Sequence, residues 1–402
     1  MSDVFVGRQP IYNRKLKVIG YELLYRHRGD AQTAQFSDGE SAVSNVIMNT
    51  FVDIGLENLV GRKLAFINFP RGFLTGEHPI PLPPAKVVIE VLEDIEVDDQ
   101  VIESVRDLRD QGFKIALDDI VDPDGKEPLL DIAWVAKVDL RQIRAAELTG
   151  CVRKLRSHGV KILAEKIETM EEYEYCAKHG FDYYQGFFLE KPKIITGQSM
   201  PASTLMVMRL LARLQGKNVN FEEIGEIVKQ DVSLSYMLLR LINSAYYTLP
   251  REIDSIQEAL IMLGIEKIRS WLSILLLSRM EGHPEELIRI AMVRGKMCET
   301  LTRSIDVELG GTGFMVGLFS VLEAMLKRPM KDILELLPLG HNVKAAILDN
   351  EGVLGETLEY VLDYEHWNWE NFEDSSFKAE KLNDAYLEAL DWATEASSIT
   401  GA

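Results

Sequence analysis

Cysteine is scarce in this chain: Cys151, Cys176 and Cys298 are the only three in 402 residues. They are too few and too scattered to frame a disulfide-stapled fold or a cysteine-built zinc site, and such usage suits a reducing cytoplasm. Long apolar runs are also lacking. The N-terminal Met-Ser-Asp-Val-Phe-Val-Gly-Arg contains no signal-like segment. Elsewhere the stretch around residues 271–277 reads as the most apolar, and it falls far short of the ~20 residues a membrane span needs. No membrane span and a cytoplasmic location are therefore expected. Bases are outnumbered, 44 Lys+Arg against 63 Asp+Glu, which leaves a net charge of −19. That excess repels phosphate backbones and argues against a binder of nucleic acid polymers. What is present is ordinary globular material: 47% hydrophobic and 27% charged residues. The length predicts two domains or three.

Residues 1–190 alternate short β-branched runs with longer helical patterns. Strands are expected over 18–24, 64–68, 87–90, 114–118, 134–139, 161–165 and 184–189. Helices are expected over 41–53, 99–111, 143–157 and 170–179. This alternation indicates βαβ units and a mainly parallel sheet, as a barrel or as an open doubly wound sheet. Lys191-Pro192-Lys193, Gly197 and Pro201 punctuate the chain, and from Ser203 onward it reads as helical. Leu234, Met237, Leu238, Leu241 and Ile242 keep a helix's apolar spacing. Ser255 with Glu258 forms a capping box ahead of Leu260 and Leu263. The expected division is an α/β domain over 1–198 and an all-α domain over 199–402.

Polar residues recur where strands end. Glu22 stands in the 18–24 run, Asn68 ends 64–68, Glu90 ends 87–90, and Asp118-Asp119 close 114–118. Lys137 and Asp139 finish 134–139, Glu165 ends 161–165, and Gln185 opens the last apolar run. A single acid after a strand is usually a helix cap or a solvated loop residue. Strand after strand, the pattern points instead to one barrel face where such ends converge. Carboxylates gathered there repel unless some are protonated or cations are bound. Oxygen donors without His or Cys suit Mg²⁺ or Mn²⁺. Such ions in pairs activate water and stabilise displacement at phosphorus.

These residues carry a resemblance. Gly20-Tyr21-Glu22-Leu23-Leu24-Tyr25-Arg26 is similar to the Glu-Ala-Leu-x-Arg motif of the EAL domain, a family of cyclic-di-GMP phosphodiesterases. Asn68-Phe69-Pro70, Glu90-Val91-Leu92-Glu93, Asp118-Asp119, Lys137-Val138-Asp139, Ala164 to Thr169 and Gln185-Gly186-Phe187 follow in the family's order. The resemblance implies a TIM-like (βα) barrel that binds cyclic-di-GMP and hydrolyses it to linear pGpG with two Mg²⁺ or Mn²⁺ ions. It assigns Glu22, Asn68, Glu90 and Asp118 to one ion, and Asp118, Asp119 and Glu165 to the other. Lys137 and Glu165 become the catalytic pair, and Arg26 and Gln185 meet substrate or water. Glu93, Asp139 and Glu168 support from behind. Departures are visible: Leu23 and Leu92 replace Ala and Thr, and Lys166 replaces a Gly. Ile120-Val121-Asp122-Pro123 replaces a Phe-Gly-Thr-Gly turn that supports the second metal and dimer contacts. That change leaves a homodimer open and motivates an alternative, a catalytically degenerate EAL domain serving as cyclic-di-GMP receptor or protein-binding scaffold.

The helical half resembles the HDOD domain, through Asp231-Val232-Ser233-Leu234, Leu241 to Tyr247, and Ser255 to Gly264. The resemblance implies a protein-interaction module related to His-Asp metal hydrolases but without their ligands. Gly317-Leu318-Phe319-Ser320 stands where a hydrolase shows its His-Asp pair. No residue names the protein partner. From Glu351 to Glu395 there are thirteen acids and two bases, interleaved with aromatics. The plain reading is an acidic solvated face whose aromatics dock on the helical domain, and the sharper one is a partner-binding surface.

Overall fold

The computed structural model describes residues 4–27, 55–190, 256–278, 283–337, 339–368 and 379–400, with isolated residues between 222 and 255 and Phe377. The helix expected over 41–53 and the apolar positions Leu234, Met237 and Leu241 lie outside these residues. The chain divides into two compact units, Met1–Lys193 and Ile194–Ala402.

In the first unit each β-branched run becomes a strand. The strands are β1 (Val4–Asn13), β2 (Val18–His27), β3 (Leu64–Asn68), β4 (Val87–Val91), β5 (Lys114–Leu117), β6 (Val135–Asp139), β7 (Lys161–Glu165) and β8 (Tyr183–Gln185). They close in sequence order into one barrel, which excludes the open sheet. Ile11, Phe66, Val88, Ala116, Val135 and Leu163, fully buried, pack as one layer inside it. Filling the interior with such side chains makes the barrel a packed core rather than a pore. Between strands lie α1 (Leu56–Val60), α2 (Arg71–Leu74), α3 (Asp99–Asp110), α4 (Glu127–Leu130), α5 (Ala145–Ser157) and α6 (Met170–Lys178). Asp98 caps α3 by accepting from Val101 N at 2.9 Å. Thr169 and Glu172 make a reciprocal capping box on α6. These caps satisfy amides that the first turn leaves without partners.

One strand departs from the expected parallel set. β1 runs antiparallel to both β2 and β8. A short turn joins β1 to β2, in which Asn13 Oδ1 accepts from Lys15 N at 2.8 Å and Lys17 N at 3.1 Å. A connection that short can link only antiparallel strands, because a parallel pair needs a crossover of a dozen or more residues.

The second unit contains α7 (Ile256–Ser278), α8 (Glu285–Arg303), a 3₁₀ turn (Val307–Leu309), α9 (Gly310–Phe319), α10 (Leu322–Leu326), α11 (Met330–Glu335), α12 (His341–Asp349), α13 (Gly352–Glu365) and α14 (Ala379–Thr400). Glu258 N lies 3.4 Å from Ser255 Oγ, the N-cap half of the expected box. Leu238 and Ile242 are buried. The segment Val307–Leu326 has a mean hydropathy of 1.6 over a membrane-length window, a longer apolar run than the 271–277 stretch. It folds as three short helical pieces, and 67% of that window is buried in the unit, as in a core helix. α9 lies tight on α8: a Cβ on Gly317 would stand 2.5 Å from Arg294 O. A side chain there would force the two helices apart, so Gly317 lets them pack closely. In the acidic tail Tyr386 is buried, and Trp392 meets Phe314 edge-on at 5.7 Å. These contacts agree with the docking reading for the described aromatics; Trp369 and Phe372 lie outside the described residues.

Candidate metal centre

The carboxyl ends of the parallel strands bring the polar residues together. Lys137, near the end of β6, is 1% exposed. Its ammonium nitrogen lies 2.9 Å from Glu90 Oε1, 2.9 Å from Asp118 Oδ1, 2.9 Å from Glu165 Oε1 and 3.4 Å from Glu22 Oε2. These four acids come from β2, β4, the residue after β5, and β7. Parallel register explains the gathering, because Asn68 pairs with Glu90 and Asp139 with Glu165 across neighbouring strands. Gln185, buried at the end of β8, donates to Glu22 Oε2 at 2.6 Å and to Gln9 Oε1 at 2.7 Å. Gln9 faces Glu22 across the β1–β2 pair.

One ammonium among four carboxylates leaves a net negative, dehydrated pocket. Burial first, then the neighbouring Glu22 charge, pushes the Glu90 carboxyl well above its ordinary range. Burial, then Asp118 and Glu22, pushes Glu165 up to about 8, although Lys137 pulls the other way. Asp119 is raised by burial and by Asp118. Burial alone would lower Lys137, but Glu165, Glu22, Glu90 and Asp118 together hold it well above an ordinary lysine. Acids so placed take up protons or a cation of higher charge.

Donor chemistry selects the cation. Asp118, Asp119 and Glu165 each offer an oxygen, all within 4.8 Å of one another. Among the described residues, the buried Asn68 Oδ1, Glu90 Oε2 and Gln185 Oε1 have no hydrogen-bond donor. A buried acceptor without a donor is costly, and a hard cation would satisfy it. An all-oxygen set of carboxylates and amides fits Mg²⁺ or Mn²⁺ and does not fit soft metals.

The remaining expected residues take different places. Asp139 is buried, and its carboxylate accepts from Lys166 Nζ at 2.5 Å, Arg141 N at 2.7 Å and Gln142 Nε2 at 3.2 Å. Glu168 is exposed and pairs with Arg141 at 3.1 Å, outside the carboxylate cluster. Glu93 is exposed in the loop after β4 and acts on Asp119 only through its charge. Arg26 lies on β2, opposite Phe5. Gly186 follows Gln185 at φ +140°, where a Cβ would meet Ile167 O at 2.0 Å. Only glycine lets the ends of β7 and β8 approach so closely.

Pattern along the chain does not single out Gln9, Tyr25 or Gln142. Gln9 lies inside a strand rather than at its end, so strand-end logic does not reach it. Tyr25 belongs to the Glu22 motif without a role of its own there, yet its hydroxyl donates to Asn68 O at 2.8 Å. Lys166, the residue that replaces a family glycine, keeps the left-handed backbone with φ +56°.

Family models match both units: an EAL domain over residues 78–192 and an HDOD domain over 200–323. The EAL match begins after Glu22 and Asn68, which barrel closure joins to it. An uncharacterized protein, YuxH of Bacillus subtilis, is 34% identical over 401 residues, covering 97% of this chain and 98% of that one. The cyclic di-GMP phosphodiesterase CdgJ of Vibrio cholerae is 30% identical over 407 residues, covering 99% and 94%. Among solved structures, Klebsiella pneumoniae BlrP1 with manganese and cyclic di-GMP is 24% identical, covers 46% of this chain and 55% of that one, and has a TM-score of 0.38. An EAL domain protein of Listeria monocytogenes is 19% identical, covers 46% and 87%, and has a TM-score of 0.36.

Proposed function

The chain belongs to the family of proteins that join an EAL domain to an HDOD domain, and from that premise we propose that its barrel hydrolyses cyclic-di-GMP to linear pGpG. The observation that carries this reading is the convergence of Glu22, Glu90, Asp118 and Glu165 on the buried Lys137. The naming of CdgJ as a cyclic di-GMP phosphodiesterase supports the substrate. Two divalent cations, Mg²⁺ or Mn²⁺, fit the donors. Glu22, Asn68, Glu90 and Asp118 would hold one, and Asp118, Asp119 and Glu165 the other. When bound, such ions lower the pKa of water and neutralise charge on the phosphodiester.

The protein's own groups then divide the work. Hydrolysis forms a bond from water oxygen to phosphorus, breaks one P–O3′ bond, and leaves a 5′-phosphate and a 3′-hydroxyl. Glu165, beside Lys137 and Asp118, takes the proton from water as general base. Lys137 offers its ammonium to charge developing on the attacking oxygen. Gln185, fixed by Glu22 and Gln9, orients water or substrate, and Arg26 meets a phosphate oxygen. The HDOD unit acts as the interaction or output module.

Incubation with cyclic-di-GMP in Mg²⁺ or Mn²⁺, beside a Glu22→Ala control, tests the reading. The expected result is linear pGpG from the wild type alone. No product above the control would overturn hydrolysis. A receptor reading draws on one observation: Ile120-Val121-Asp122-Pro123 stands after Asp119 where the family has its Phe-Gly-Thr-Gly turn. Nucleotide binding without product in Mg²⁺ and Mn²⁺ is the outcome that favours it.

A further inference from the structure

Asp119 stands just beyond β5 with a half-exposed side chain, and its placement needs a cause. It adopts a left-handed backbone, φ +44°, which costs a non-glycine residue about 1 kcal/mol or more. Its neighbours are tied down by the backbone: Asp118 N donates to Val91 O at 3.0 Å and Ile120 N to Lys137 O at 2.8 Å. The Asp119 carboxylate accepts a side-chain hydrogen bond from Gln142 Nε2 at 3.1 Å. The same nitrogen lies 3.2 Å from Asp139 Oδ2. A primary amide has two N–H groups, so one amide can serve both acids.

Asp139 makes a firm post for that bridge. It is 1% exposed, and backbone and side-chain donors hold both of its oxygens. Lys166 Nζ meets the same Oδ2 that Gln142 reaches, which neutralises the post and lets a second carboxylate stand beside it. Without donors between them, two adjacent carboxylates would move apart. Hydrogen bonds to ionised acceptors are stronger than neutral ones and directional enough to hold a rotamer. We infer that Gln142 is a positioning residue for the second cation: its amide ties Asp119 to the Lys166-neutralised Asp139, so that Asp119 faces Asp118 and Glu165.

This inference rests on the two-cation reading above, and the experiment separates the two. The full-length metal-free protein is titrated with Mn²⁺, and free ion is followed by electron paramagnetic resonance without nucleotide. The comparison is wild type against Gln142→Met, which keeps side-chain length and removes the amide. Gln142 is exposed, so the variant is expected to melt like wild type in chelator. The wild type is expected to bind two Mn²⁺ per chain. The variant keeps one class and weakens the other about 10-fold or more, the usual scale for a lost supporting contact. Two classes unchanged from wild type would overturn the role of Gln142, as would equal weakening of both. A wild type that takes up no Mn²⁺ would overturn the cation reading and the inference together.

Discussion

Both units bury charge, and they balance it differently. In the helical unit Arg294, 3% exposed, pairs with Glu365: its Nε and Nη2 lie 2.8 and 2.7 Å from Glu365 Oε2. Its Nη1 donates to Ser320 Oγ at 3.0 Å. There a buried cation meets a carboxylate and a hydroxyl, with all three of its guanidinium nitrogens engaged. At the barrel mouth a single Lys137 faces four acids. The balanced pair joins α8 to α13 and asks for nothing further. The unbalanced cluster stays frustrated until protons or cations arrive. Burial of charge therefore identifies neither a structural nor a functional site by itself; its imbalance does.

The largest expected effect sharpens that contrast on the catalytic side. Glu165→Gln removes the proton acceptor and should lower turnover by about 10²–10⁴-fold, measured as initial pGpG release at saturating Mn²⁺. Next comes the balanced pair. Arg294→Met leaves Glu365 without its buried partner and should destabilise the helical unit by about 3–5 kcal/mol, read from urea midpoints. Glu90→Gln should act in the opposite direction on the metal-free barrel, raising its midpoint at neutral pH, because burial and the Glu22 charge disfavour an ionised carboxyl there and an amide spares the cost of protonating it. If both variants destabilise alike, the contrast between balanced and unbalanced burial is wrong.

A smaller effect is expected at the seam between α8 and α9. Gly317→Ala places a Cβ against Arg294 O and should cost about 1–3 kcal/mol by overpacking, visible in the same urea experiment. Subtler still is the pH dependence of the metal-free barrel. The Glu165 carboxyl lies near 4.5 when unfolded and near 8 when folded, burial being the main cause. The folded chain therefore holds a proton that the unfolded chain releases. That stabilisation is complete below about 4.5 and is lost as pH rises through about 8. Hydrogen exchange of the barrel strands in chelator should accordingly report lower stability at pH ~8 than at pH ~5, beyond the intrinsic rate change. Saturating Mn²⁺ should shrink the difference.

Much of the fold is legible from pattern. The runs at 64–68 and 161–165 form strands with those limits, and the neighbouring ones move by a few residues. β1 is not legible, because Gln9 and Pro10 break its alternation and proline argues against a strand. The structure accommodates Pro10 just outside the stretch of β1 that pairs with β8, which begins at Ile11. The strand-end acids can be found because parallel strands turn a repeated chain position into one face. Gln142 cannot, since its importance comes from reaching Asp119 and Asp139 at once across a loop and a strand.

The sequence by itself determined the alternation of strand and helix, the abundance of acids at strand ends, and the change to a helical second half. These follow from side-chain chemistry and period, which are local properties. Only the tertiary structure decided that the sheet closes, that β1 runs backwards, and that four acids meet one lysine. It also placed Gly317 against Arg294 O, where a side chain is crowded. Those outcomes depend on register and on distances between residues far apart in the chain, and electrostatic energy follows distance and burial rather than order along the sequence.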